Sequence, residues 1–316
     1  MAYKNHKDIN LYINAIRKFE KKERKLLGLK NKENYETLSR QLIDSVRRIE
    51  YIKVIGDRDI SRLRKNPHSD IFDPLRAAWL YIKEENYNEA YWLIFLSTCF
   101  GIHKKYGWNL CADIYGGLGT VVWTWDIITQ NFEDFKKWYR LASIEMLRDN
   151  IKRGFGNHRK YESLRYNSNR AIPIVIESYI KWIGVSRDHE VRFLEASIQN
   201  NYPNKYILFD IIYKSMKSVI SFGRTARFDY LTMLAKFNLL NIEPLTLYLN
   251  GATGPKDGAN LLFYGYKKTG YDVARLNNDI NELANELPIT KLASQVLEDA
   301  LCNWQKSPSE YIYFGG

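Results

Sequence analysis

Asp299, Asn303 and Lys306 stand at i, i+4 and i+7 in the segment QVLEDALCNWQK, beside an apolar stripe of Val296, Leu297, Ala300, Leu301 and Trp304. On a helix this spacing sets a carboxylate, an amide and an ammonium along one polar face, with Gln305 next to them. Such a set can read a base and support cleavage of a glycosidic bond; the same trio can equally be polar side chains facing solvent. A second carboxylate, Asp229, lies in SFGRTARFDY, where Arg224 and Arg227 are three residues apart and share a face if a helix starts near Thr225. Asp229 reads either as a functional acid or as an ion-pair partner.

Three further segments mix cations, glycines and aromatic rings. In IKRGFGNHRKY, Lys152, Arg153, Arg159 and Lys160 are candidate phosphate contacts. Asn157 lies among them, and Phe155, His158 and Tyr161 can stack on a base. The alternative is a plain basic loop. In LNGATGPKDGA, Gly251, Gly254 and Lys256 form a turn before a helix start, a place that presents backbone N–H groups to an anion. It resembles the phosphate-binding turn of helix-hairpin-helix DNA-binding proteins, with an extra residue and no proline before the first glycine. A P-loop is excluded, because the G-K-[ST] ending is missing. HKKYGW with Asp113 repeats the theme, and Trp108, Trp123 and Trp125 either wall a base pocket or fill the core.

The charge agrees with a polyanionic partner. The 316 residues carry a formal net charge of +11, and residues 1–65 alone hold 18 Lys and Arg against 9 Asp and Glu. Three cysteines give no disulfide framework, and five scattered histidines without CxxC or HExxH give no metal site. No cofactor is implied. The N-terminus lacks a signal-peptide core, and the longest apolar run, Tyr91 to Ile102, is shorter than the roughly 20 residues a membrane span needs. A cytoplasmic protein without membrane contact or an obligate protein partner is expected.

Apolar positions recur at helical spacing over 8–27, 35–55, 75–102 (broken at Asn86), 132–151, 188–198, 205–221, 225–240, 271–287 and 289–306. Hairpin signals are few, so the expected fold class is all-α, a multi-helix DNA-glycosylase-like architecture with a helix-hairpin-helix-like turn near 249–259. The polar, proline-bearing stretch 57–74 suggests a division into a basic helical region, 1–65, and a helical DNA-binding and catalytic domain, 75–316.

Together, HKKYGW, RGFGNHRKYESL, FGRTARFDYL, GATGPKDGA and EDALCNWQK resemble the alpha-glutamyl/putrescinyl thymine pyrophosphorylase family from about Trp92 to Gly316. The resemblance implies a helical protein related in outline to helix-hairpin-helix DNA glycosylases. Some members replace the pyrophosphorylated substituent of hydroxymethyl-uracil in DNA with an amino acid or polyamine; others resemble glycosylases that attack modified bases of invading phage DNA. It carries over to Asn157, His158, Arg224, Arg227, Asp229, Gly251, Gly254, Pro255, Asp299, Asn303, Gln305 and Lys306. The usual glycosylase acid after the hairpin has only Asp272 and Asp279 in its window, and Lys256 follows Pro255 instead of a Gly-x-Gly. The expected activity is a monofunctional DNA glycosylase excising a modified pyrimidine from phage DNA, in anti-phage defence, with Asp299 and then Asp229 as acids. The alternatives are a transferase that displaces pyrophosphate with an amine, and a non-catalytic module that binds modified DNA.

Overall fold

The computed structural model describes residues 6–156, 163–267 and 272–314. Within them the chain forms α1 (His6–Lys22), α2 (Lys32–Gly56), α3 (Pro74–Lys83), α4 (Tyr87–Phe100), α5 (Asn109–Ala112), α6 (Trp125–Gln130) and α7 (Phe132–Arg148). It continues through α8 (Ile172–Ile183), α9 (His189–Ile198), α10 (Lys205–Ser215), α11 (Arg224–Lys236), α12 (Gly254–Tyr264), α13 (Val273–Glu286) and α14 (Ala293–Trp304). The only β pairing among the described residues is two isolated bridges, His103 with Gly107 and Ser163 with Ala171. The fold is all-α.

The chain divides into two compact units: residues 1–53 with 243–316, and residues 54–242. The first is built from α1, most of α2, and α12 to α14. Ile9, Ile13, Ile16 and Phe19 recur on one face of α1 and are buried with Leu262, Phe263, Leu276, Ile280, Leu297 and Leu301. This is the stripe the periodicity predicts. α12 and α14 approach unusually closely. A Cβ on Gly258 would lie 2.2 Å from the carbonyl oxygen of Leu301, so only glycine admits this distance. Gly258→Ala is therefore expected to lower stability by about 1–3 kcal/mol, although alanine alone would add about 1 kcal/mol of helix propensity. A urea midpoint unchanged or raised would show that the two helices can part freely.

The second unit is organised around α4. Every residue from Glu89 to Phe100 is buried, so this helix has no polar face, which explains the unbroken apolar run. Asn86 accepts a hydrogen bond from Glu89 N and starts it, separating α3 from α4 as the sequence suggests. The glycine-rich stretch after α4 holds α5 and one π-turn, Asp113–Gly117. Gly116 there has φ +149°, and a Cβ would meet Val121 O at 2.8 Å.

Candidate functional site

The polar face expected on α14 exists. Asn303 Nδ2 donates to Asp299 Oδ1 at 2.9 Å, and Lys306 Nζ donates to Asn303 Oδ1 at 3.0 Å. Sequence reasoning missed what completes it. From α2, Arg48 donates to Asp299 Oδ2 through Nε (2.9 Å) and Nη2 (2.5 Å), and Ser45 Oγ donates to the same oxygen. The result is one connected row: guanidinium, carboxylate, amide, ammonium. Asp299 and Arg48 side chains stay 35% and 24% exposed, so the row is reachable from solvent.

The C-terminal segment lies along α2 and touches both ends of the row. Phe314 O accepts from Arg48 Nη1 at 3.0 Å, and the ammonium of Lys306 sits 4.4 Å over the Phe314 ring. Further along, Gln41 Nε2 donates to Ile312 O (2.8 Å), Tyr311 OH to Asp44 (2.7 Å), and Thr37 Oγ1 and Asn34 Nδ2 to Pro308 O. Asn34, Thr37, Gln41, Asp44 and Ser45 are all buried. A polar seam at these helical intervals was visible as a pattern, but its partner lies more than 250 residues away.

Gly251, Gly254 and Lys256 flank the start of α12. Gly251 has φ +79° and open space around it, fitting a left-handed turn. Gly254 has a different reason: a Cβ there would come within 2.5 Å of Cys302 Sγ on α14. That approach sets the α12 start beside the C-terminal end of α14, which Gln305 follows; its Nε2 donates to Cys302 O. Lys256 is half-buried. The turn is not a hairpin between two helices, because residues 237–253 form no helix. Pro244 interrupts the apolar pattern, and Leu247 and Leu249 are buried in irregular chain.

Two packed helices with a short connection, one 3-10 turn at Met216–Ser218 within it, do occur in the second unit. α10 packs on α11 across residues 216–223, with Ser221 at φ +62° and the exposed Gly223 capping α11. Arg224 and Arg227 lie in the first turn that follows. Arg224 covers the Phe228 ring at 5.1 Å; Arg227 covers Tyr213 at 4.2 Å and donates to Tyr213 O. Asp229 is half-buried on the same helix. The two candidate acids, Asp229 and Asp299, therefore belong to different units.

Arg153 is held within the protein. Its guanidinium grips Asp149 with Nη1 (2.8 Å) and Nη2 (2.5 Å) and gives Nε to Asp113, leaving 3% of the side chain exposed. Asp149 is pulled down to about 2 by the Arg153 hydrogen bonds. Asp113 moves the other way, because burial outweighs the same cation. Asn157, His158, Arg159, Lys160 and Tyr161 lie outside the described residues. Trp123 and Trp125 are core residues, 4% and 1% exposed. Trp108 is different. It lines a cleft of about 320 Å³ with Arg64, Ser69, Asp70, Ile71, Phe72, Asp73, Ile102, Gly107, Asn109 and Ala112.

Behind that cleft sits a buried acid that the sequence did not signal. Phe72 stacks on Tyr115, whose hydroxyl donates to Glu89 Oε1 at 2.5 Å, while Trp125 N donates to Glu89 Oε2 at 2.6 Å. Burial pushes the Glu89 carboxyl up to about 7 against both of these hydrogen bonds. Among the described residues no group of three or more His, Cys, Asp or Glu comes together as a metal site, and no helix is long and apolar enough to cross a membrane.

The accessible chemistry is thus anion binding by guanidinium and ammonium groups around carboxylates and amides. Residues 33–316 match the family model of alpha-glutamyl/putrescinyl thymine pyrophosphorylase clade 3. No curated protein and no solved structure matches the chain. The match overturns the expected base excision: the family is named for pyrophosphorylase chemistry on thymine, so the glycosylase reading gives way to the transferase alternative. With nine-tenths of its length matched, the chain belongs to the alpha-glutamyl/putrescinyl thymine pyrophosphorylase family.

Proposed function

We propose that the protein works in the cytoplasm on DNA carrying a modified pyrimidine, as a hypermodification transferase. It joins an amine donor to an activated hydroxymethyl-uracil and releases pyrophosphate. The observation that carries this reading is the family match over residues 33–316. In the reaction the amine lone pair forms a C–N bond to the exocyclic methylene carbon. The C–O bond to pyrophosphate breaks, the leaving group takes that electron pair, and the nitrogen loses one proton.

The residues support the demands of that step. A departing pyrophosphate develops negative charge, which guanidinium and ammonium groups stabilise best; Arg48 and Lys306 stand on either side of Asp299 and Asn303. Asp299 is the carboxylate assigned to the amine proton, with Asp229 the second choice. The α11 start, with Arg224 and Arg227, and the segment Asn157, His158, Arg159 and Lys160 are assigned to DNA binding, as are Gly251, Gly254, Lys256 and Gln305.

The test is incubation of the protein with a duplex bearing pyrophosphorylated 5-hydroxymethyl-uracil, together with L-glutamate or putrescine. Nucleosides are then weighed by mass spectrometry and pyrophosphate is measured. Nucleosides heavier by the donor, with equimolar pyrophosphate and none from unmodified DNA, are the expected result. Asp299→Asn should slow turnover about 10²-fold while duplex affinity holds. Tight binding with neither mass gain nor pyrophosphate would replace the transferase with a binding module.

A further inference from the structure

The two cations assigned to the departing pyrophosphate are already engaged by the protein's own chain. We infer that Phe314 is a displaceable latch over Arg48 and Lys306, so that the segment 307–314 is a strap which an anionic ligand opens at one end. This concerns the regulation of the site proposed above and rests on that reading.

Phe314 touches both cations at once. Its carbonyl accepts from Arg48 Nη1 at 3.0 Å, and its ring lies 4.4 Å from the Lys306 ammonium. Because one residue reaches both, the two cations face a volume the size of one residue, which a pyrophosphate also fills. Asp299 holds Arg48 through Nε (2.9 Å) and Nη2 (2.5 Å), so Nη1 is the nitrogen turned toward the strap. Asp44, one turn before Arg48, accepts from Tyr311 OH. The row itself therefore sets two cations against one carboxylate. A carbonyl and an aromatic face are electron-rich but uncharged, and they give these cations a weaker form of what an anion gives.

The strap is held unequally along its length. Pro308 O accepts from Thr37 and Asn34, Tyr311 OH donates to Asp44 at 2.7 Å, and Ile312 O accepts from Gln41 at 2.8 Å. All four partners on α2 are buried, so these anchors are costly to break. The contacts of Phe314 are of another kind. Lys306 is exposed, Arg48 is partly so, and Tyr313 just before the latch is 66% exposed. A hydrogen bond to an uncharged acceptor and a cation–π pair at an open site are each weak. Phe314 can thus swing away while Tyr311 and Ile312 stay in place. Tethered so close, it competes as an internal ligand at an effective concentration on the order of mM. A monovalent anion reaching one cation gains little against it, whereas pyrophosphate takes both.

Isothermal titration of the full chain with inorganic pyrophosphate tests the latch. Phe314→Ala is expected to bind about fivefold tighter than wild type, and Phe314→Trp more weakly, because indole is the better partner for an ammonium. Adding Lys306→Gln to Phe314→Ala should abolish the gain. A loss of stability cannot imitate affinities that move in opposite directions from wild type. In parallel, chymotrypsin should cut the wild-type chain after Tyr313 faster when pyrophosphate is present. Equal affinity in wild type and both single variants, no pyrophosphate binding by Phe314→Ala, or protection of Tyr313 by pyrophosphate would overturn the inference. Its failure is distinct from that of the transferase. Pyrophosphate affinity tuned by Phe314 without mass gain in DNA would remove the transferase and keep the latch. Mass gain in DNA with one pyrophosphate affinity in all three proteins would do the reverse.

Discussion

Between pH 4 and pH 8 the wild-type protein is expected to lose about 3 kcal/mol more stability than Glu89→Gln. Glu89 is 2% exposed, and its carboxyl is raised from 4.5 to about 7 in the fold. A group raised on folding favours the folded state fully below its unfolded value. That contribution disappears as pH climbs through the folded value, so the loss falls between about 4.5 and 7. Glutamine is neutral throughout. It can still accept from Trp125 N and donate to the Tyr115 oxygen, so the packing around it is retained. Guanidinium unfolding midpoints for both proteins across this range are the measurement. Parallel curves would mean that Glu89 does not titrate in the fold.

Arg153→Ala should destabilise the protein by about 3 kcal/mol or more, because it leaves Asp113 in a half-buried site with its cation gone. The same substitution separates two roles for a residue read from sequence as a phosphate ligand. If Arg153 is a strut of the fold, its removal lowers the unfolding midpoint but leaves the salt dependence of DNA binding at its original slope. If it grips a phosphate, its removal reduces that slope by about 1. Arg153→Lys adds a control. It keeps the charge but cannot hold Asp149 with two nitrogens while giving a third to Asp113. A midpoint unmoved in Arg153→Ala would show that the Asp149–Arg153–Asp113 arrangement adds nothing to stability.

Much of this arrangement was legible in the residues, for identifiable reasons. Periodicity located most of the long helices, since an amphipathic stripe such as Ile9, Ile13, Ile16 and Phe19 is a local signal. The row of Asp299, Asn303 and Lys306 was legible because the first two sit one turn apart on α14 and Lys306 follows in the turn just past its end. Its completion by Ser45 and Arg48 was not, because no local rule links positions 250 residues apart. The basic character of 151–161 hid the opposite fact about Arg153: composition counts cations, but it cannot see that Asp113 and Asp149 have already claimed one. The supposed hairpin near 249–259 failed on Pro244 and on leucines that bury themselves without forming a helix. The break between α10 and α11, in contrast, was legible, because the periodicity stops at 221 and restarts at 225, and α11 begins at Arg224.

The division of the chain has a consequence for biosynthesis. Helices α1 and α2 are translated before residues 54–242, yet the helices that cover their apolar faces, α12 to α14, come only after the whole of that stretch. At ~5–20 residues per second the ribosome needs on the order of ten to forty seconds for that interval. During it the second unit can close on itself, while Ile13, Ile16 and Phe19 wait uncovered. The nascent chain thus passes through a stage in which its middle is finished and its beginning is still adhesive. A chaperone acting on that stage would find its binding segment in the first two helices.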